Sequence, residues 1–259
     1  MTSSFFSARR LPRALWAVAT LAIAAIAATA GQAAWRIKQA AELARQSEPL
    51  QVSPAGATAS VLIAGDSTAV GTGATSAAHS VAGLIASNHP RLRIVNRATD
   101  GARFADIARQ LEGGERFDAV LVLGGGNDVI RLTAQDALEQ DIARVARMAA
   151  ARAPLVVIMP PGNVGNAPFF MAPLSWLMAR RSRALHDLVR QAAADHGALY
   201  VSLYKEKADD PFAQRPDELN ARDGLHPSDA GYRLWHDALN AQAGLDSRLA
   251  ALAGVTGGN

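Results

Sequence analysis

Five short apolar runs alternate with longer stretches of helical pattern, and that alternation narrows the possible folds more than any other feature of the chain. The runs lie near Ser60–Ala64, Leu92–Asn96, Ala119–Leu123, Leu155–Met159 and Leu199–Leu203. Runs of this length, bounded by turn residues, suit strands buried on both faces. The stretches Val81–Asn88, Phe104–Glu112, Ala134–Arg152, Leu174–His196 and Asp229–Ala243 are amphipathic or Ala-rich and read as helices. Strand-helix alternation predicts an α/β fold, a parallel sheet covered on both faces. By analogy with flavodoxin-like folds, the expected strand order is 2-1-3-4-5. Ligands of such sheets sit beyond the carboxyl ends of the strands, so the residues that follow each run are where chemistry is to be sought.

Four runs are followed by polar blocks. Gly65-Asp66-Ser67 ends the first, Asn96-Arg97-Ala98-Thr99-Asp100-Gly101 the second and Gly124-Gly125-Gly126-Asn127-Asp128 the third. Asp223-Gly224-Leu225-His226-Pro227 lies on a longer connection after the fifth. Taken singly, each block has an ordinary structural explanation. Ser67 could cap a helix, with Asp66 as a turn or capping residue. Asn127-Asp128 could start a helix. Asp223 and His226 could be a surface pair or two ligands of a metal. The glycines at 124–126 could suggest a phosphate loop, but no Gly-Lys-Ser/Thr follows them, which argues against a nucleotide site. Ser228, after Pro227, reads as the cap of the last helix. His79, His89, His186, His196 and His236 stand outside any motif and read as structural or exposed.

Together and in this order, the four blocks resemble those of the SGNH (GDSL-type) hydrolases, a family of esterases and lipases. The resemblance runs from about Val61 to Trp235 and implies a three-layer α/β/α sandwich with a five-stranded parallel sheet. It implies Ser67 as nucleophile, His226 as base and Asp223 as the partner of His226. It also implies an oxyanion hole built from Ser67, the Gly101 backbone N–H and the Asn127 side-chain amide. No metal and no cofactor are expected. The residue types suit these roles. A serine hydroxyl is weak unless a base takes its proton, a histidine can take and return that proton, and a carboxylate fixes the imidazole tautomer. Thr68 stands where leucine or isoleucine is common in the family, and Ala98 where glycine often is. Neither touches a proposed reacting atom.

The resemblance implies a serine esterase acting on a small-molecule or lipid-like ester. Two alternatives stay open: an O-acetyl esterase of a cell-envelope polysaccharide, and a non-catalytic binding domain that keeps the fold. The connection after the fourth run is long and apolar, with Phe169-Phe170-Met171 and Trp176-Leu177-Met178. It either lines an acyl pocket or covers the site, or simply packs on the domain or near a membrane.

The N-terminal segment is read separately. The uncharged stretch Ala14–Ala34 holds 21 residues, follows Arg9, Arg10 and Arg13, and has Trp16 and Trp35 near its ends. That length suffices for one membrane span, and the arginines favour a cytoplasmic N-terminus. The rival reading is a cleaved signal peptide, for which Ala28-Thr29-Ala30 offers a site; a buried soluble helix ranks below both, because the polar face expected of a surface helix is missing. Both leading readings put the domain outside the cytoplasmic membrane, on the periplasmic side or secreted. The formal charge of +3 belongs to this segment. Six of the 26 Lys/Arg and two of the 23 Asp/Glu lie in residues 1–50, which leaves 20 and 21 in the remainder. A nucleic-acid-binding domain is therefore not expected. The absence of cysteine excludes disulfides and a thiol nucleophile. The expected organisation is an anchor or signal segment at 1–35, a linker at 36–58, the hydrolase domain at 59–243 and a tail at 244–259. Nothing in the sequence fixes an oligomeric state.

Overall fold

The computed structural model describes residues 13–255. In chain order it contains α1 (Arg13–Gln46), β1 (Ala59–Gly65), α2 (Ser67–Val70), α3 (Val81–Asn88), β2 (Leu92–Asn96) and α4 (Phe104–Gln110). There follow β3 (Ala119–Leu123), α5 (Gly126–Ile130), α6 (Gln135–Arg152), β4 (Leu155–Met159), α7 (Leu174–Asp195) and β5 (Leu199–Tyr200). The chain closes with α8 (Pro211–Gln214), α9 (Pro216–Leu219), α10 (Asp229–Ala243) and α11 (Leu245–Val255).

The strands form one parallel sheet in the order β2-β1-β3-β4-β5, as expected. Side chains alternate across a strand, and here both sets are apolar. Val61, Ile63, Leu121, Leu123, Val157 and Met159 face one core with α3, α10 and α11. Leu62, Ala64, Val120, Val122, Val156 and Ile158 face a second core with α4, α6 and α7. The sequence of the central strands is continuously hydrophobic for this reason: neither face meets water.

Three regions differ from the sequence reading. The fifth run pairs only through Leu199 and Tyr200, opposite Val157 and Ile158. Beyond them the Gln242 side chain accepts from Ser202 N–H and donates to Ser202 C=O, both at 2.9 Å. The segment expected as a linker is helical to Gln46, and past Glu48 it lies along β2. Val52 forms an antiparallel bridge with Ile94, and the Gln51 amide bonds both the N–H and the C=O of Asn96. The segment expected as a tail carries α11, which buries Leu245 and Leu249 in the first core. Residues 256–259 lie outside the described residues.

The expected membrane span falls within α1. Among the described residues, no helix is long and apolar enough to cross a membrane, so the structure lends the span no support. Arg9 and Arg10, which flank it, lie outside the described residues.

Candidate active site

The first block sits where β1 meets α2. Gly65 approaches β3 so closely that a Cβ there would lie 1.9 Å from the Leu123 carbonyl oxygen. The Gln110 side chain accepts from Gly65 N–H at 2.7 Å and donates to its carbonyl at 3.0 Å. The cap of α2 is Asp66, not Ser67: Thr68 donates its N–H and its hydroxyl to Asp66 Oδ1 at 2.9 and 2.7 Å. Asp66 also accepts from Gly125 N–H at 3.2 Å through its other oxygen, which ties the first block to the third. Burial raises the Asp66 carboxyl above the usual range, against the opposing effect of these donors. Ser67 is the first residue of α2, so its hydroxyl is free of capping duty.

The last block lies on a loop that folds back toward β1. Ala221 N–H donates to His226 C=O at 2.8 Å, and Asn220 bridges Pro227. Ser228 caps α10 as expected, accepting from Gly231 N–H. Within this loop Asp223 is fully buried. Its Oδ1 accepts the backbone N–H groups of Leu225 and His226 at 3.0 and 3.1 Å, and its Oδ2 lies 2.5 Å from His226 Nδ1. Burial works to raise the Asp223 carboxyl, but the bond and charge of His226 and the two N–H donors outweigh it, and the net shift is downward. A carboxylate that stays ionised holds Nδ1 protonated and leaves Nε2 as the acceptor. His226 Nε2 lies 3.0 Å from Ser67 Oγ. The structure thus brings Ser67, His226 and Asp223 into one chain of hydrogen bonds across 159 positions of separation.

Gly101 and Asn127 line the same cavity as Ser67 and His226, a space of about 660 Å³. Gly101 holds φ at 77°, a conformation that favours glycine. Among the described residues neither Ser67 N–H nor Gly101 N–H has a partner. Asn127 Nδ2 donates to Ala102 C=O at 3.2 Å, which orients the amide and leaves its second N–H. Asp128 is fully buried and serves structure. It accepts Phe104 N–H and the Thr133 hydroxyl, both at 2.9 Å, and so fixes the start of α4 against α5.

One contributor was legible only as one of two alternatives, and one was not legible as a site residue. Phe169, from the apolar connection after β4, does line the cavity, while Met171 and Trp176 nearby are exposed. His186, read as structural or exposed, is buried on α7. It bonds Pro161 C=O through Nε2 at 2.7 Å and the Tyr200 hydroxyl through Nδ1 at 2.6 Å, and Pro161 lines the cavity. Its signal in the sequence is only its place on the apolar face of a helix. No group of three or more His, Cys, Asp or Glu able to hold a metal occurs among the described residues.

Comparison with known proteins agrees with this architecture. Residues 63–234 match the model of the GDSL-like lipase/acylhydrolase family. A GDSL-like esterase of Mycobacterium tuberculosis is 28% identical over 188 residues, which cover 69% of this chain and 60% of that protein. The matched stretch therefore spans less than two thirds of that relative's length. Among solved structures, an alpha/beta hydrolase enzyme from the metagenome of Lake Arreo, Spain, superposes with a TM-score of 0.57 at 24% identity, over 73% of this chain and 97% of that one. A lipase/acylhydrolase from Enterococcus faecalis gives 0.54 at 18% identity, over 73% and 96%. At these identities the two structures speak to the fold alone.

Proposed function

The chain belongs to the GDSL-like lipase/acylhydrolase family, and from that premise we propose that it hydrolyses carboxylic esters through an acyl-enzyme on Ser67. The observation that carries the proposal is the connected series Asp223, His226, Ser67, with two unpartnered backbone N–H groups and an asparagine amide on the same cavity. In the first half-reaction Ser67 Oγ attacks the ester carbonyl carbon as its proton passes to His226 Nε2. The negative charge that develops on the carbonyl oxygen is met by the N–H groups of Ser67 and Gly101 and by the Asn127 amide. Collapse breaks the bond to the alcohol oxygen, which receives the proton from His226 and leaves. Water then repeats the sequence on the acyl-enzyme and releases the acid. Asp223 keeps its negative charge throughout and stabilises the imidazolium.

The cavity favours an acyl or lipid-like ester over an acetylated polysaccharide, because Phe169, Leu225 and Val164 give it apolar walls. The test is a panel of esters of varied acyl length, with acetylated glycans as a separate arm and Ser67→Ala as control. Hydrolysis of acyl esters, lost in Ser67→Ala together with labelling by a fluorophosphonate, is the expected result. An active Ser67→Ala protein would overturn the mechanism, and activity confined to acetylated glycans would overturn the substrate class.

The same proposal sets the domain outside the cytoplasmic membrane, tethered by Ala14–Ala34 or released by cleavage after Ala30. The uncharged stretch and its flanking arginines support this. Cell fractionation with N-terminal sequencing of the recovered protein tests it, and recovery of the whole chain in the cytosolic fraction would refute it.

A further inference from the structure

Helix α1 reaches the catalytic cavity. Ile37, Ala40, Ala41 and Ala44 line the same space as Ser67 and His226. Their spacing of i, i+3, i+4 and i+7 defines a single helix face. On the flank of that face Glu42 pairs with Arg222 at 3.5 Å, and Arg222 immediately precedes Asp223 in the loop that carries His226. The C-terminal turns of α1 thus lie beside the loop on which the chemistry depends. Every side chain they give the cavity is apolar, and three of the four are alanine, which leaves the space wide.

From this placement we propose that the 37–44 face of α1 is a wall of the acyl-binding part of the cavity, and that its alanines set the length of acyl chain accepted. The inference rests on the ester-hydrolase reading above and deepens it, since it names long, unbranched aliphatic acyl groups as the preferred class. An acetyl group remains beside Ser67 and the oxyanion donors, and has no need of α1. A long chain must continue along the cavity, where an apolar helix face gives it a dry surface in place of water. The wall comes from outside the region matched by the family model, which begins at residue 63, so the selectivity would be a property of this chain's own N-terminal extension.

The experiment uses the full chain and two fluorophosphonates, one ethyl and one dodecyl, with labelling of Ser67 followed by intact mass. Ala40→Phe and Ala44→Phe fill the cavity from the α1 side. Each is expected to slow dodecyl labelling at least about tenfold while ethyl labelling stays within about twofold. Lys38→Phe, an exposed position that does not line the cavity, is expected to leave the ratio unchanged. Equal slowing of both probes, or an unchanged ratio in the alanine variants, would overturn the inference. Should a phenylalanine variant fail to fold, Ile37→Ser at an exposed position carries the same test, with a lower dodecyl-to-ethyl ratio expected. If wild-type Ser67 takes up neither probe, the hydrolase reading itself fails, and that outcome is distinct from labelling that ignores chain length.

Discussion

His186 makes the stability of the fold depend on pH in a window that most carboxylates do not occupy. His186 is 4% exposed. Burial pushes its pKa down from 6.5 to about 4, although the bond to Pro161 C=O works in the opposite direction. The hydrogen bonds fit the neutral ring: Nε2–H donates to Pro161 and Nδ1 accepts from Tyr200. The unfolded chain takes up a proton at this histidine below its ordinary pKa of 6.5, while the folded protein refuses it until about pH 4. Stability is therefore lost as pH falls through that window. The slope approaches about 1.4 kcal/mol per pH unit, and the total loss is about 3 kcal/mol. His186→Gln keeps one donor and one acceptor but cannot titrate. Urea unfolding of both proteins between pH 8 and pH 4.5 isolates the effect, because the carboxylates common to both cancel in the difference. The wild-type advantage over the variant should shrink by about 2–3 kcal/mol toward the acid end. A difference that stays constant across the range would show that the folded protein accepts this proton as readily as the unfolded chain, and would refute the reasoning.

Two further substitutions probe the site and its frame. Asn127→Ala removes one oxyanion donor and should lower kcat about 10²–10³-fold with little change in KM, measured by steady-state ester hydrolysis; an unchanged kcat would remove Asn127 from the mechanism. Gly65→Ala drives a methyl group toward the Leu123 carbonyl, 1.9 Å away, and toward Ala69 Cβ at 2.6 Å. Since one obstacle is backbone of the neighbouring strand, the cost should be about 3 kcal/mol in urea unfolding, and a neutral result would mean that β1 and β3 separate easily.

The middle of the sheet was legible because its strands are buried on both faces, which leaves no polar residue in Val61–Ala64, Ala119–Leu123 or Leu155–Met159. The boundaries of β2, β3 and β4 and of helices α3 and α10 coincide with those read from the sequence. Ser67, Gly101, Asn127, Asp223 and His226 were legible because each stands in a short block at a strand end or on a return loop. What failed to show was whatever depends on partners far away in the chain. The fifth run has the composition of a strand along its length, yet it pairs only at Leu199 and Tyr200. Leu245 and Leu249 look like part of a tail until the first core is seen to extend over them. The alanines of α1 carry no motif, and only the folded position of the helix places them beside Ser67. Asp66 reads as a turn or capping residue, and it caps α2, but its bond from Gly125 N–H cannot be inferred from spacing.

The two glutamines that lie beyond the outer strands bear on solubility. An open parallel sheet ends in rows of peptide groups that another extended chain could join, and such rows are natural starting points for lateral aggregation. Here Gln51 uses its amide as a surrogate peptide unit against Asn96, and Gln242 does the same against Ser202. Val52 and the brevity of β5 complete the protection. Each margin of the sheet is closed by a side chain that imitates a neighbouring strand without supplying one for further growth.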